Sequence, residues 1–140
     1  MIRTIAVVYS LALCLVAIGC SRTYSGPRRF ALSGKVTVDN QPIDHGLISF
    51  LPDGEGGRVC GGPITAGSYT IPEEMGATEG KYKVKINWNK PTGKKVKDAW
   101  GEEIMDETKE GLPAKYHDNT NLTANVSSGK TTFDFDLQSK

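Results

Sequence analysis

The sequence predicts an all-β domain, a sandwich of seven short strands. Three observations predict it. Apolar and polar residues alternate in short runs, glycine, proline and Asx turn signals separate those runs, and no long stretch keeps a helical period.

The first strand runs from Leu32 to Val38. Leu32, Gly34, Val36 and Val38 share one face, with Ser33, Lys35 and Thr37 on the other. Asp39-Asn40-Gln41-Pro42 breaks the run as a turn. Leu47 to Leu51 is a short apolar strand with Ile48 and Phe50 inward, and Pro52 to Gly57 is a flexible loop. Val59 to Thr65 reads as an edge strand loosened by Gly61 and Gly62. Ala66-Gly67 turns the chain, and Ser68 to Ile71 pairs back with Tyr69 and Ile71 inward. Lys81 to Trp88 carries the clearest alternation, with Tyr82, Val84, Ile86 and Trp88 facing the core. Leu122, Ala124 and Val126 repeat it, and Phe133, Phe135 and Leu137 close the chain against Asp134, Asp136 and Gln138.

Residues 89–121 break the pattern, with no sustained period over more than 30 positions. Long connections of this kind are uncommon in compact domains and are often functional or disordered. Lys90, Lys94, Lys95 and Lys97 make the first part basic. Asp98, Glu102, Glu103, Asp106, Glu107 and Glu110 make the second part acidic. Ala99 to Lys109 has the composition of a single short helix.

The N-terminus reads as an address. Arg3 is followed by a mostly apolar run from Ile5 to Ile18, shorter than the roughly 20 residues a transmembrane helix needs. Leu15-Val16-Ala17-Ile18-Gly19-Cys20 resembles a bacterial lipobox, with Ala17 where Leu, Val or Ile is preferred. The resemblance implies cleavage between Gly19 and Cys20, lipidation of Cys20, and a location in the cell envelope, anchored to a bacterial membrane and facing the periplasm or exterior. Residues 1–19 are then the signal peptide, 20–29 a lipidated cysteine and polar tether, and 30–140 the sandwich domain. Arg22, Arg28 and Arg29 lie where anionic headgroups are in reach.

Without residues 1–19 the chain loses Arg3, so 17 basic residues become 16 against 16 acidic. A formally neutral domain lacks the basic excess of a nucleic-acid binder. Cys14 leaves with the leader and Cys20 is acylated, so Cys60 has no internal disulfide partner and the fold rests on its core.

Several stretches together carry a family resemblance: Ser33 to Asp39, Gln41-Pro42-Ile43, Gly46 to Phe50, Gly80 to Val84, Pro91 to Lys95, Leu112 to Tyr116 and Phe133 to Leu137. In this order they resemble the transthyretin-like, carboxypeptidase-regulatory-like domain of small planctomycete-type lipoproteins. The resemblance implies a seven-stranded Greek-key sandwich of transthyretin or immunoglobulin-like type, and structural or interaction roles without a defined chemistry.

The candidate chemical sites are sparse. Relatives that hydrolyse 5-hydroxyisourate use two histidines, an arginine and a Tyr-Arg-Gly-Ser tail, whereas this chain ends Leu137-Gln138-Ser139-Lys140. His45 sits in a turn, and His117 beside Asp118 has no third metal ligand at a suitable spacing. The acidic run 98–110 lacks the spacing of a calcium loop. Cys60 has no base that the sequence places near it. Lys35 with Asp134 or Asp136 has the strand placement of an isopeptide bond, but on the polar face. Lys81, Lys83 and Lys85 would pair across strands with Asp134 and Asp136 if those strands were neighbours. Asn121 and Asn125 begin Asn-X-Thr and Asn-X-Ser sequences.

The expectation is a non-enzymatic structural or interaction module with no cofactor and no metal, whose partners are the membrane, through its lipid, and an envelope protein or glycan. Trp100, Lys94, Lys95 and Tyr116 in the 89–121 connection are the contact candidates. The alternative is a small-ligand or carbohydrate-binding module, with that connection as its rim and Trp88 and Trp100 as stacking residues.

Overall fold

The computed structural model describes residues 25–97 and 99–140. The expected leader, the Gly19–Cys20 cleavage site and lipidation at Cys20 lie outside the described residues. The strands are β1 (Arg29–Phe30), β2 (Leu32–Val38), β3 (Gln41–Pro42), β4 (His45–Pro52), β5 (Cys60–Thr65), β6 (Ser68–Ile71), β7 (Ala77–Thr78), β8 (Gly80–Lys97), β9 (Ile104–Glu110), β10 (Thr123–Val126) and β11 (Phe135–Leu137). Two single-turn 3₁₀ segments, Glu73–Met75 and Ala114–Tyr116, are the helical pieces among the described residues.

The main sheet runs β10-β8-β4-β5-β6-β2-β11, with β3 on β2 and β9 on β8. It is antiparallel except where β11 joins β2 in parallel. The alternation that predicted the strands also fills the core. Leu32, Val36, Ile48, Phe50, Ile64, Tyr69, Ile71, Tyr82, Val84, Ile86, Val126 and Leu137 are all buried.

The sheet does not lie flat. From β4 to β11 is four strand steps, about 19 Å across a flat sheet. Phe133, at the entry to β11, nonetheless has its ring centroid 6.3 Å from Phe50 on β4. Phe50 also meets Tyr69 at 6.0 Å and Tyr82 at 6.4 Å. The β2–β11 end therefore folds back over the middle strands, and one aromatic cluster sits between.

Two hairpins turn through paired left-handed residues. Asp39 and Asn40 (φ 50° and 64°) link β2 to β3, and Ala66 and Gly67 (φ 49° and 73°) link β5 to β6. This is the two-residue geometry that matches strand twist. Gly34 is needed for another reason. A Cβ there would lie 1.9 Å from the Phe133 carbonyl oxygen, where the last segment crosses β2. The Tyr69 hydroxyl donates to that same carbonyl at 2.8 Å.

Four expectations change. β5 is not an edge strand, because it pairs with β4 on one side and, through Ile64 and Thr65, with β6 on the other. Arg29, assigned to the tether, joins β1, which pairs with β7. Lys81, Lys83 and Lys85 do not face Asp134 and Asp136, since β8 lies between β10 and β4 while β11 lies against β2. Lys83 instead meets Asp53 and Lys85 meets Asp118, each at 3.9 Å. The fourth change is the largest. The 99–109 stretch is not helical, because β8 continues to Lys97 and β9 pairs back along it.

Candidate functional site

Beyond Trp88 the strand β8 leaves the body. Asn89 pairs with Glu110, Lys90 with Lys109 and Pro91 with Thr108; after a bulge, Lys95 pairs with Asp106, Val96 with Met105 and Lys97 with Ile104. Nine residues at about 3.3 Å each give an arm roughly 30 Å long. Between Asn89 and Glu110 only Thr92 and Glu107 are half-buried, and the other described residues are exposed. A strand pair exposed on both faces stands clear of the core.

The arm's tip is apolar. Trp100 is 84% exposed, Ile104 70%, Met105 48% and Val96 37%. Gly101, with φ 73°, turns the chain beside Trp100. Isolated two-stranded hairpins are marginal in water, so the arm needs its own ties. Lys95 and Asp106 form an ion pair at 2.7 Å, and the Thr92 hydroxyl donates to Glu107 across the bulge.

The arm's root is held by a polar clamp. Glu110 accepts from the Trp88 backbone N–H at 3.0 Å, the Leu112 N–H at 2.9 Å and the Asn87 side-chain amide at 2.7 Å. Partial burial raises the Glu110 pKa, but these donors and nearby His117 outweigh it and hold the carboxyl below its usual value. The Trp88 indole N–H donates to Asp44 at 2.8 Å and lowers that carboxyl's pKa, with help from the His45 N–H. Lys90 stacks over the Trp88 ring at 5.1 Å, and a Cβ on Gly111 would meet the ring at 2.7 Å. Trp88 is thus a half-buried bracket between body and arm.

The candidate contact residues divide. Trp100 lies at the tip, and Lys94 and Lys95 lie on β8 within the arm, all exposed. Tyr116 is not with them. It is buried, and its hydroxyl accepts from the Gln138 N–H at 3.1 Å. Ile104, Met105 and Val96 were not singled out from the sequence. Their signal was apolar residues flanking a glycine turn between a basic and an acidic run.

The remaining chemical candidates are separate. His117 Nδ1 lies 3.1 Å from Asp118, which also meets Lys85, in a shallow depression that includes Thr120. The Thr120 hydroxyl is turned away and donates to the Val84 carbonyl. Among the described residues, no three His, Cys, Asp or Glu side chains are placed to share a metal ion. Cys60 is buried, and desolvation pushes its thiol pKa up to about 11 despite Arg58. Asp134 accepts from the Lys35 backbone N–H at 2.8 Å, and Asp136 from the Thr37 hydroxyl at 2.6 Å. His45, Asn121 and Asn125 are exposed.

Compared with family models, curated proteins and solved structures, the chain matches none.

Proposed function

We propose that this chain is an envelope lipoprotein whose arm is a recognition element. Cys20 carries the lipid after cleavage at Gly19, and residues 20–28 tether the body, with Arg29 already in β1. The body is a non-enzymatic module built on the transthyretin-like Greek-key sandwich. The folded-back sheet and its buried alternating strands support that finer fold reading. The lipobox resemblance at residues 15–20 supports the anchor.

The observation that carries the functional reading is the exposed apolar tip on a projecting arm. Four exposed apolar side chains, Val96, Trp100, Ile104 and Met105, gathered at one end of a small domain support a contact role. Their position supports the same reading. The tether leads into β1, which pairs with β7 beside the start of β8, while the tip lies past the far end of β8. Eighteen residues of β8 span roughly 55–60 Å. A tether of about nine residues reaches only about 30 Å. With the lipid in a bilayer, the upright molecule presents the arm to the envelope space.

The exposure of Trp100 favours a second reading, a glycan-binding module that uses the indole face for stacking. Capture from crosslinked envelopes tests both. The intact lipoprotein is compared with a variant in which residues 90–110 become a short Gly/Ser linker. A protein or glycan held only by the intact form is the expected result, and its chemistry separates the two readings. Identical capture lists would contradict the role given to the arm.

A further inference from the structure

We propose that His117 is a proton-operated latch on the root of the arm, closed by the charged ring and opened by the neutral one. The latch rests on the geometry of the root and holds whatever the arm contacts.

His117 ends the 3₁₀ turn Ala114–Tyr116, where its backbone N–H donates to the Ala114 carbonyl at 3.2 Å. Its side chain is only 12% exposed, and each ring nitrogen faces an oxygen. Nε2 lies 3.2 Å from the Leu112 carbonyl, and Nδ1 lies 3.1 Å from the Asp118 carboxylate. A carbonyl and a carboxylate accept hydrogen bonds and donate none. A neutral imidazole has one N–H and one lone pair, so it satisfies one of these oxygens and turns a lone pair to the other. Only the imidazolium donates on both sides.

The neighbours decide which contact the neutral ring keeps. Leu112 is buried, and its N–H is fixed on Glu110 at 2.9 Å, so its carbonyl stays in place. Asp118 is 75% exposed, and Lys85 on β8 stands 3.9 Å from its other oxygen. The neutral ring therefore keeps Nε2–H on Leu112, and Asp118 passes to Lys85 and water. The other cations nearby are engaged. Lys83, in the same depression, meets Asp53 at 3.9 Å, and Lys115 reaches the Lys140 carbonyl at 2.9 Å.

The latch acts on the arm through one short segment. Glu110, Gly111 and Leu112 carry the chain from β9 into the core, and the Gly111 N–H donates to the Trp88 carbonyl at 2.9 Å. Glu110 faces the ring from the end of β9. With His117 charged, Asp118 braces the ring on Leu112, and a positive charge stands beside Glu110. Both are lost as pH rises through the titration of the ring, and the root loosens. Asp118 lies largely in water, so the change in root opening is modest, about two- to fivefold.

NMR of the full-length chain in detergent micelles tests the latch from about pH 5 to 8, where histidines ordinarily change charge. The His117 ring nitrogens are expected to pass from imidazolium to the Nε2–H tautomer. The Leu112 and Asp118 amides move with the same midpoint, and the exchange protection of the Gly111 N–H falls about two- to fivefold across it. His117→Gln, which keeps a donor for Leu112 but cannot titrate, removes the step, and Asp118→Asn shrinks it. His45→Gln, at the other histidine of the chain, leaves it in place. Gly111 protection that does not follow the ring, a neutral ring protonated on Nδ1, a step that survives His117→Gln, or one unchanged in Asp118→Asn would overturn the latch.

Discussion

Individual residues hold this fold at points where no other side chain fits. Gly34 is one, because the last segment of the chain crosses it within bonding reach of the Phe133 carbonyl. Gly34→Ala should lower stability by about 2–3 kcal/mol, since backbone rather than a flexible side chain must move. The midpoint of urea unfolding reads it directly. Ala66 is the opposite case, a residue that fits its position poorly. Its φ of 49° is left-handed, where a Cβ crowds the following carbonyl. Ala66→Asn should therefore stabilise the protein by about 0.5–1 kcal/mol, seen as a higher unfolding midpoint at unchanged slope. Cys60 fits the role of a small apolar residue, and burial keeps its thiol protonated near neutral pH.

At the scale of elements, the root of the arm is an electrostatic joint. Glu110 receives three N–H donors and faces His117, while Trp88 links it to Asp44 and carries Lys90 on its ring. The folded-state pKa of Glu110 is lowered, so its stabilisation is present above the unfolded value of about 4.3 and is lost as pH falls through the lower folded value. The Trp88 and Leu112 amide resonances should titrate together in that acid range. Glu110→Ala should remove about 1 kcal/mol, a figure reduced for the solvent exposure of the carboxyl. The elements also differ in how visible they were in the sequence. Every strand with one buried face announced itself by alternation, as Tyr82, Val84 and Ile86 do. The arm has no buried face, so Lys94 to Lys97 and Ile104 to Glu110 show no such period. The opposite charges on the two runs were the signature of paired strands, and Lys95 with Asp106 realises it. A helix over 99–109 satisfied local propensity, but the Gly101 turn and pairing with β8 overrode it. The short β1–β7 pair was equally hidden, because two-residue strands carry no period.

At the scale of the whole molecule, β8 joins two regions of different build. Its first half is buried between β4 and β10 and belongs to the core. Its second half carries no core residue and holds the apolar tip away from the N-terminal end. The proposed recognition role requires that separation. Spin labels at Ser25→Cys and Glu103→Cys, both exposed sites at the two ends, measure it in the folded chain. The expected result is a distance distribution centred at roughly 45–60 Å, the span of β8 allowing for twist and the bulge. A distribution centred below about 30 Å would mean that the arm folds back on the body, and would contradict its role as a presented recognition element.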